Sequence, residues 1–165
     1  MLKFLANGGI ARTFRHRHYR NFIGADGISL VGNWVQRVGI GWLTWELTHS
    51  GLWLGIIAIV EMFPSIIFAP LGGAIADRYN RRLIALGAEL LMLSQAVALA
   101  ALTWIGLVDI WWLVFLTFLR GAFNAGSHPA RQALVPSLVP PEDLSSAIAC
   151  NSMVFNVARF IGPAV

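Results

Sequence analysis

Polar and apolar positions along this chain fall into blocks. Stretches of about 20 or more mostly apolar residues, the length that crosses a bilayer core as a helix, lie at roughly 21–47, 52–76, 83–105, 110–128 and 144–165. Between them stand the short connections "THSG" (48–51), "DRYNRR" (77–82) and "GLVD" (106–109), and the longer "PARQALVPSLVPPED" (129–143). The blocks predict five transmembrane helices. In the longest connection Pro129, Pro136, Pro140 and Pro141 argue against continuous helix. The ten-residue apolar/polar alternation of a membrane barrel is absent. The fold class expected is an all-α membrane protein. Residues 1–20 differ: Asn7, Gly8 and Gly9 interrupt any signal-peptide core, and "RTFRHRHYR" follows at once. That segment is read as a basic cytoplasmic tail, and 21–165 as a helical membrane domain.

Composition strengthens this reading. Hydrophobic residues make up 57% of the 165 and charged residues only 12%, against about 25% charged in an ordinary soluble domain. The net charge of +4 does not point to nucleic acid, because the basic residues cluster at the ends of apolar blocks, where anionic lipid headgroups lie. Lys3, Arg12, Arg15, Arg17 and Arg20 precede the first span; Arg78, Arg81 and Arg82 follow the second; Arg131 follows the fourth. The first and third connections carry no Lys or Arg. Positive-inside asymmetry therefore places the amino terminus in the cytoplasm. Trp42, Trp45 and Trp53 flank the first outer turn and Trp104, Trp111 and Trp112 the second, whereas Trp34 lies deep; indoles favour the headgroup boundary.

Charge inside the spans is the next signal. Counted from the first outer turn, Arg37 and Glu61 lie at nearly equal depth, roughly 18 Å below it at about 1.5 Å per residue. Arg120 sits at the matching count from the second outer turn, and Arg159 lies deep in the fifth span. Each arginine in hydrocarbon costs about 2.5–3.5 kcal/mol on insertion scales, so these side chains are expected to face protein or a hydrated cavity. At 100° per residue Asp26, Asn33, Arg37 and Thr44 lie within about 20° of one line. Thr117, Arg120, Asn124, Ser127 and Arg131 share a face of the fourth span, and Ser152, Asn156 and Arg159 a face of the fifth. The substrate-cavity candidates are Asn33, Arg37, Arg120, Asn124, Asn156 and Arg159; the proton-coupling candidates are Asp26 and Glu61. The competing reading is a set of ion pairs that only holds a bundle together. Glu46 and Glu89 receive no role.

Covalent chemistry finds no support. Cys150 has no partner cysteine or ligand at metal spacing, and His16, His18, His49 and His128 do not cluster. No metal, cofactor or nucleophile–base pair is expected, and the chain is not read as an enzyme.

The stretch "GGAIADRYNRR" (72–82) resembles the signature that follows the second helix of the major facilitator superfamily, G-x-x-x-D-R-x-G-R-R/K: Gly73, Asp77, Arg78, Arg81 and Arg82 match. Asn80 stands in place of a glycine, as the residue next most tolerant of a left-handed backbone. Arg120 and Gly126 fit the superfamily's R-x-x-x-G-x-G pattern, with Asn124 where a glycine is usual. Gly162 and Pro163 resemble the core of its G-x-x-x-G-P antiporter motif, with Ala158 at the first glycine. The start, "FRHRHYRNF", and "GNWVQRVGIGWLTWELTHSG" are similar to the bacterial branch that holds enterobactin exporters and multidrug efflux proteins. The resemblance implies two six-helix halves rocking about a midplane site, of which five spans would form most of the first half. It implies a cytoplasmic gating latch at Gly73, Asp77, Arg78, Arg81 and Arg82, a multi-pass place in the bacterial inner membrane, and proton-coupled export of a small organic solute, siderophore or drug-like and anionic if the arginines decide. With five spans where relatives have twelve, the chain is expected to be an amino-terminal fragment that needs the missing half. The alternatives are an uptake symporter and a structural or assembly subunit of a polytopic complex.

Overall fold

The computed structural model describes residues 12–164, apart from the side chains at positions 69, 71–77, 81, 128 and 130. Five long helices account for most of them: α1 (Arg17–Thr48), α2 (Gly51–Arg78), α3 (Arg81–Trp104), α4 (Ile110–Leu138) and α5 (Leu144–Ile161), with 3₁₀ turns at Pro141–Asp143 and Gly162–Ala164. No strand occurs among the described residues. Length and composition alone would let Gly51–Phe68, Arg82–Trp104 and Pro141–Ala164 cross a membrane. Helices α1 and α4 are at least as long, and α1 is the least apolar of the five. Many large apolar side chains stay exposed, among them Ile28, Leu52, Ile66, Leu83, Val97 and Phe160. Outward-facing apolar helices whose backbone bonds are satisfied internally suit lipid.

The chain divides into two compact units, one of residues 1–38 with 133–165 and one of Gly39–Gln132. In the first, Tyr19, Ile23, Val135, Val139, Ala147 and Cys150 form the core. Tyr19 is fully buried, and its hydroxyl donates to the Ala147 carbonyl at 3.0 Å, which satisfies the one polar atom that its burial would strand. In the second, Ile40, Ile57, Leu99, Leu113 and Leu116 form the core.

The turns follow local chemistry. His49 and Gly106 are the described residues with positive φ, at 48° and 72°. After α3 the Ile105 amide donates to Ala101 O at 3.0 Å and the Leu107 amide to Leu102 O at 3.0 Å, a left-handed exit that glycine allows without a Cβ penalty. Asp109 opens α4, its carboxylate accepting from the Trp112 amide at 2.8 Å.

Two expectations change. The fourth helix does not stop at 128 but continues through Pro129 and Pro136 to Leu138. A lone proline within a packed membrane helix is tolerated where neighbouring groups take up the freed carbonyl, as at Pro64 and Pro70 in α2. The break falls at the Pro140–Pro141 pair: a residue before proline is pushed to extended geometry, and Pro140 has ψ 155°. Asn80, expected to replace glycine in a left-handed backbone, has φ −63° and ψ 108° and caps α3, its side chain accepting from the Arg82 amide at 3.0 Å. It is there as an N-cap.

Candidate functional site

The polar stripe of α4 is built into ion pairs within the second unit. Arg120, only 7% exposed, donates through Nη1 to Glu61 Oε1 on α2. Further along, Glu89 Oε1 on α3 accepts from Ser127 Oγ at 3.1 Å and meets Arg131 Nη1 at 3.1 Å. Asn124, between these pairs, is exposed. The stripe thus faces α2 at Arg120 and α3 about two to three turns further on. Glu89, left without a role by the sequence, holds two members of the stripe; its signal was a lone acid in an otherwise apolar span.

The Arg120–Glu61 contact depends on a close approach of α2 and α4. A Cβ on Gly121 would collide with the Glu61 carbonyl oxygen and come within 3.3 Å of Pro64 Cγ. Ser65 Oγ donates across the same gap to Gly121 O at 2.9 Å. Only glycine lets the two backbones meet here, and the meeting sets Arg120 beside Glu61.

The first unit holds a second arrangement. The Arg37 guanidinium lies 5.4 Å from the Trp34 ring centroid and that of Arg159, from α5, 5.7 Å from it. Phe155 meets the same indole edge-on at 6.3 Å. Each cation–π contact is worth about 0.5–1 kcal/mol where exposed, and both arginines are exposed. Gly162 explains the proximity: a Cβ there would strike Trp34 Cβ and come within 3.3 Å of its backbone. Pro163 follows in the 3₁₀ turn, exposed. Trp34, noted in the sequence only for its depth, is the centre of this group.

The remaining candidates are placed as follows. Asp26 is buried in α1. The Asn33 amide donates to Ser29 O at 2.9 Å and the Asn156 amide to Ser152 O at 2.8 Å, both back onto their own helices. A cavity of about 950 Å³ between α1 and α5 is lined by apolar side chains, Ile23, Val31, Met153 and Val154 among them, and by none of the polar candidates. In the 72–82 motif, Arg78 ends α2 and is exposed, as is Arg82. The side chains of Gly73, Asp77 and Arg81 lie outside the described residues.

The basic tail has specific partners. Arg12 meets Asp143 Oδ1 at 2.9 Å through Nε and Glu142 at 3.0 Å through Nη2, and His16 Nε2 lies 3.1 Å from Asp143 Oδ2. Hydrogen bonding to Asp143 holds the Arg12 guanidinium above its ordinary pKa. Sequence gave no pairing signal, because some 130 residues separate the partners.

Long apolar helices, ion pairs between helices and glycine-mediated helix contacts define a polytopic helical membrane protein. Residues 9–165 match the family described as transmembrane secretion effector, and the chain belongs to that family of the major facilitator superfamily. It is similar to the staphyloferrin A transporter of Staphylococcus aureus, 30% identical over 87% of this chain and 36% of that protein. It is similar also to the multi-drug resistance efflux pump PmrA of Streptococcus pneumoniae, 30% identical over 88% of this chain and 35% of that protein. Macrolide efflux protein A of Streptococcus pyogenes is 25% identical over 84% of this chain and 34% of its own length. The chain thus spans about a third of the length of these relatives. No solved structure matches.

Proposed function

We propose that this segment is the proton-responsive part of an exporter that moves an organic solute across the bacterial inner membrane by alternating access, with its amino terminus in the cytoplasm. The observation that carries the reading is the Arg120–Glu61 pair, in which Arg120 is buried and Glu61 is half-buried within the apolar stretch Gly51–Phe68 of α2. A buried guanidinium beside a carboxylate has two states. With Glu61 ionised, the pair is neutral overall and Arg120 is held. With Glu61 protonated, Arg120 carries uncompensated charge in a medium where that is expensive, and an anionic solute or a hydrated passage stabilises it. Proton binding at Glu61 and anion binding at Arg120 are thereby linked, which is what coupled exchange requires. Efflux and transport in the names of the relatives support export. Positive residues at 12, 15, 17 and 20 support the cytoplasmic amino terminus.

The test is Glu61→Gln in a transporter of the relatives' length that carries this segment. Glutamine retains a hydrogen-bond acceptor for Arg120 but cannot titrate. Solute counterflow at equal pH is expected to persist while uptake into inverted vesicles driven by a pH gradient is lost. Unaltered pH-driven uptake would remove Glu61 from the coupling. The 165-residue chain alone, a third of the relatives' length, is expected to give no flux in proteoliposomes.

A further inference from the structure

We infer that the groove between α1 and α5 is a binding site for one anionic glycerophospholipid, with an acyl chain along the groove and the phosphate on Arg17 and Arg20.

The cavity of about 950 Å³ belongs to the first unit alone. Phe14 and, on α1, Gly24, Ile28 and Val31 line one wall, and Met153 and Val157 on α5 line the other. Glycine keeps the α1 wall low. A Cβ on Gly24 would meet nothing within 4 Å, and one on Gly27 would stand 3.2 Å from Val154 Cγ1, where the two helices come together. Ile28 and Met153 are exposed, so the groove is open to what surrounds the helices.

Charge stands at one end of this apolar surface. At 100° per residue Arg17 and Arg20 each lie within about 40° of Gly24 and Val31, and the lining continues back past both arginines to Phe14. They therefore flank the groove. Both are exposed, and neither is ion-paired among the described residues. The first turn of α1 holds no acid, and Asp26 falls on another face of the helix. Glu142 and Asp143 are already met by Arg12 and His16.

Length selects the occupant. From Arg20 to Val31 a helix advances about 17 Å, close to half of the hydrocarbon core of about 30 Å. That is the depth of one leaflet, which an acyl chain fills; a helix crossing the membrane would need a groove of twice the length. Guanidinium donors fork onto phosphate oxygens. Two arginines one turn apart favour a headgroup whose phosphate is not cancelled by an ammonium of its own. An anionic lipid thus answers both ends of the site. A neutral apolar solute leaves the arginines unmet, and free phosphate leaves the groove empty.

The experiment is native mass spectrometry of the 165-residue chain, released from detergent micelles after titration with dioleoylphosphatidylglycerol or dioleoylphosphatidylcholine. One phosphatidylglycerol is expected to stay bound, about fivefold or more tighter than phosphatidylcholine, and inorganic phosphate should not displace it. Arg17→Gln and Arg20→Gln should each weaken binding by about fivefold, and together by about 25-fold. Gly24→Leu places its side chain in the acyl path without removing charge, and should weaken binding by about fivefold or more. Gly32→Leu, at an exposed glycine of α1 with equal room but outside the groove, should bind as the parent does. Circular dichroism shows whether each variant is folded, and Gly24→Leu, which gains helix propensity, keeps the test open if an arginine variant is not. Equal retention of phosphatidylcholine would overturn the inference. So would undiminished binding to Gly24→Leu, which would leave only loose attraction of lipid to basic residues. The same titration of a transporter of the relatives' length that carries this segment is expected to keep its dependence on Arg17 and Arg20. Loss of that dependence would mean that another part of the protein fills the groove, and would overturn the assignment. None of these readouts is a flux, so failure of the transport reading leaves the lipid site standing.

Discussion

Replacing Gly121 and Gly126 separately by alanine tests the close helix contact that sets Arg120 beside Glu61. Both glycines lie in α4, so the gain in helix propensity, about 1 kcal/mol, is common to both. At Gly126 nothing lies within 4 Å of the added carbon, and the substitution should stabilise by about that amount. At Gly121 the carbon meets the Glu61 carbonyl, a backbone group that cannot rotate away, and Pro64 Cγ at 3.3 Å. Overpacking of this kind costs about 1–3 kcal/mol. Parting the helices also breaks the 2.9 Å bond from Ser65 to Gly121 O, a further loss of about 1 kcal/mol. The two variants should therefore differ by about 2–4 kcal/mol. Unfolding of the chain in mixed micelles, followed by circular dichroism as denaturing detergent is added, measures the difference. Equal stabilisation by both alanines would mean that α2 and α4 are not in backbone contact at this point, and the geometric basis for the Arg120–Glu61 pair would be lost.

Other outcomes follow from single contacts. Asn80→Ala should destabilise α3 by about 1 kcal/mol and Asn80→Gly by only a few tenths, read in the same unfolding assay; a left-handed residue would show a pronounced advantage for glycine. Tyr19→Phe removes the donor to Ala147 O, whose carbonyl still accepts within α5, a loss of about 0.5–1.5 kcal/mol. Asp143→Asn removes the negative charge and one of the two acceptors that meet Arg12 and His16, and hydrogen exchange of the amides at 15–20 should accelerate while those of α3 do not change.

Five helices were legible because lipid imposes a length and a polarity that few sequences meet by chance. Their ends were less so. Pro129 looked like a stop, yet a packed neighbour removes much of the penalty that a lone proline carries in water, and only the double proline at 140–141 ended the helix. The stripes on α1, α4 and α5 were visible from spacing, since periodicity says which residues share a face. It cannot say what the face meets, so the division of the α4 stripe between Glu61 and Glu89 needed coordinates. Trp34 was hidden for a related reason. Its importance comes from Gly162, some 130 positions later, and small residues announce themselves only when the surface pressed against them is known.

The clasp between Arg12, His16 and Asp143 bears on the order in which the molecule is made. Residues 39–132 are contiguous, so that unit has all its parts once they leave the ribosome. The other unit joins residues before 39 to residues after 132, and at about 5–20 residues per second Arg12 waits roughly 7–26 s for Asp143 to be synthesised. Within this segment, the start of α1 is locked only after the unit that follows it has been made.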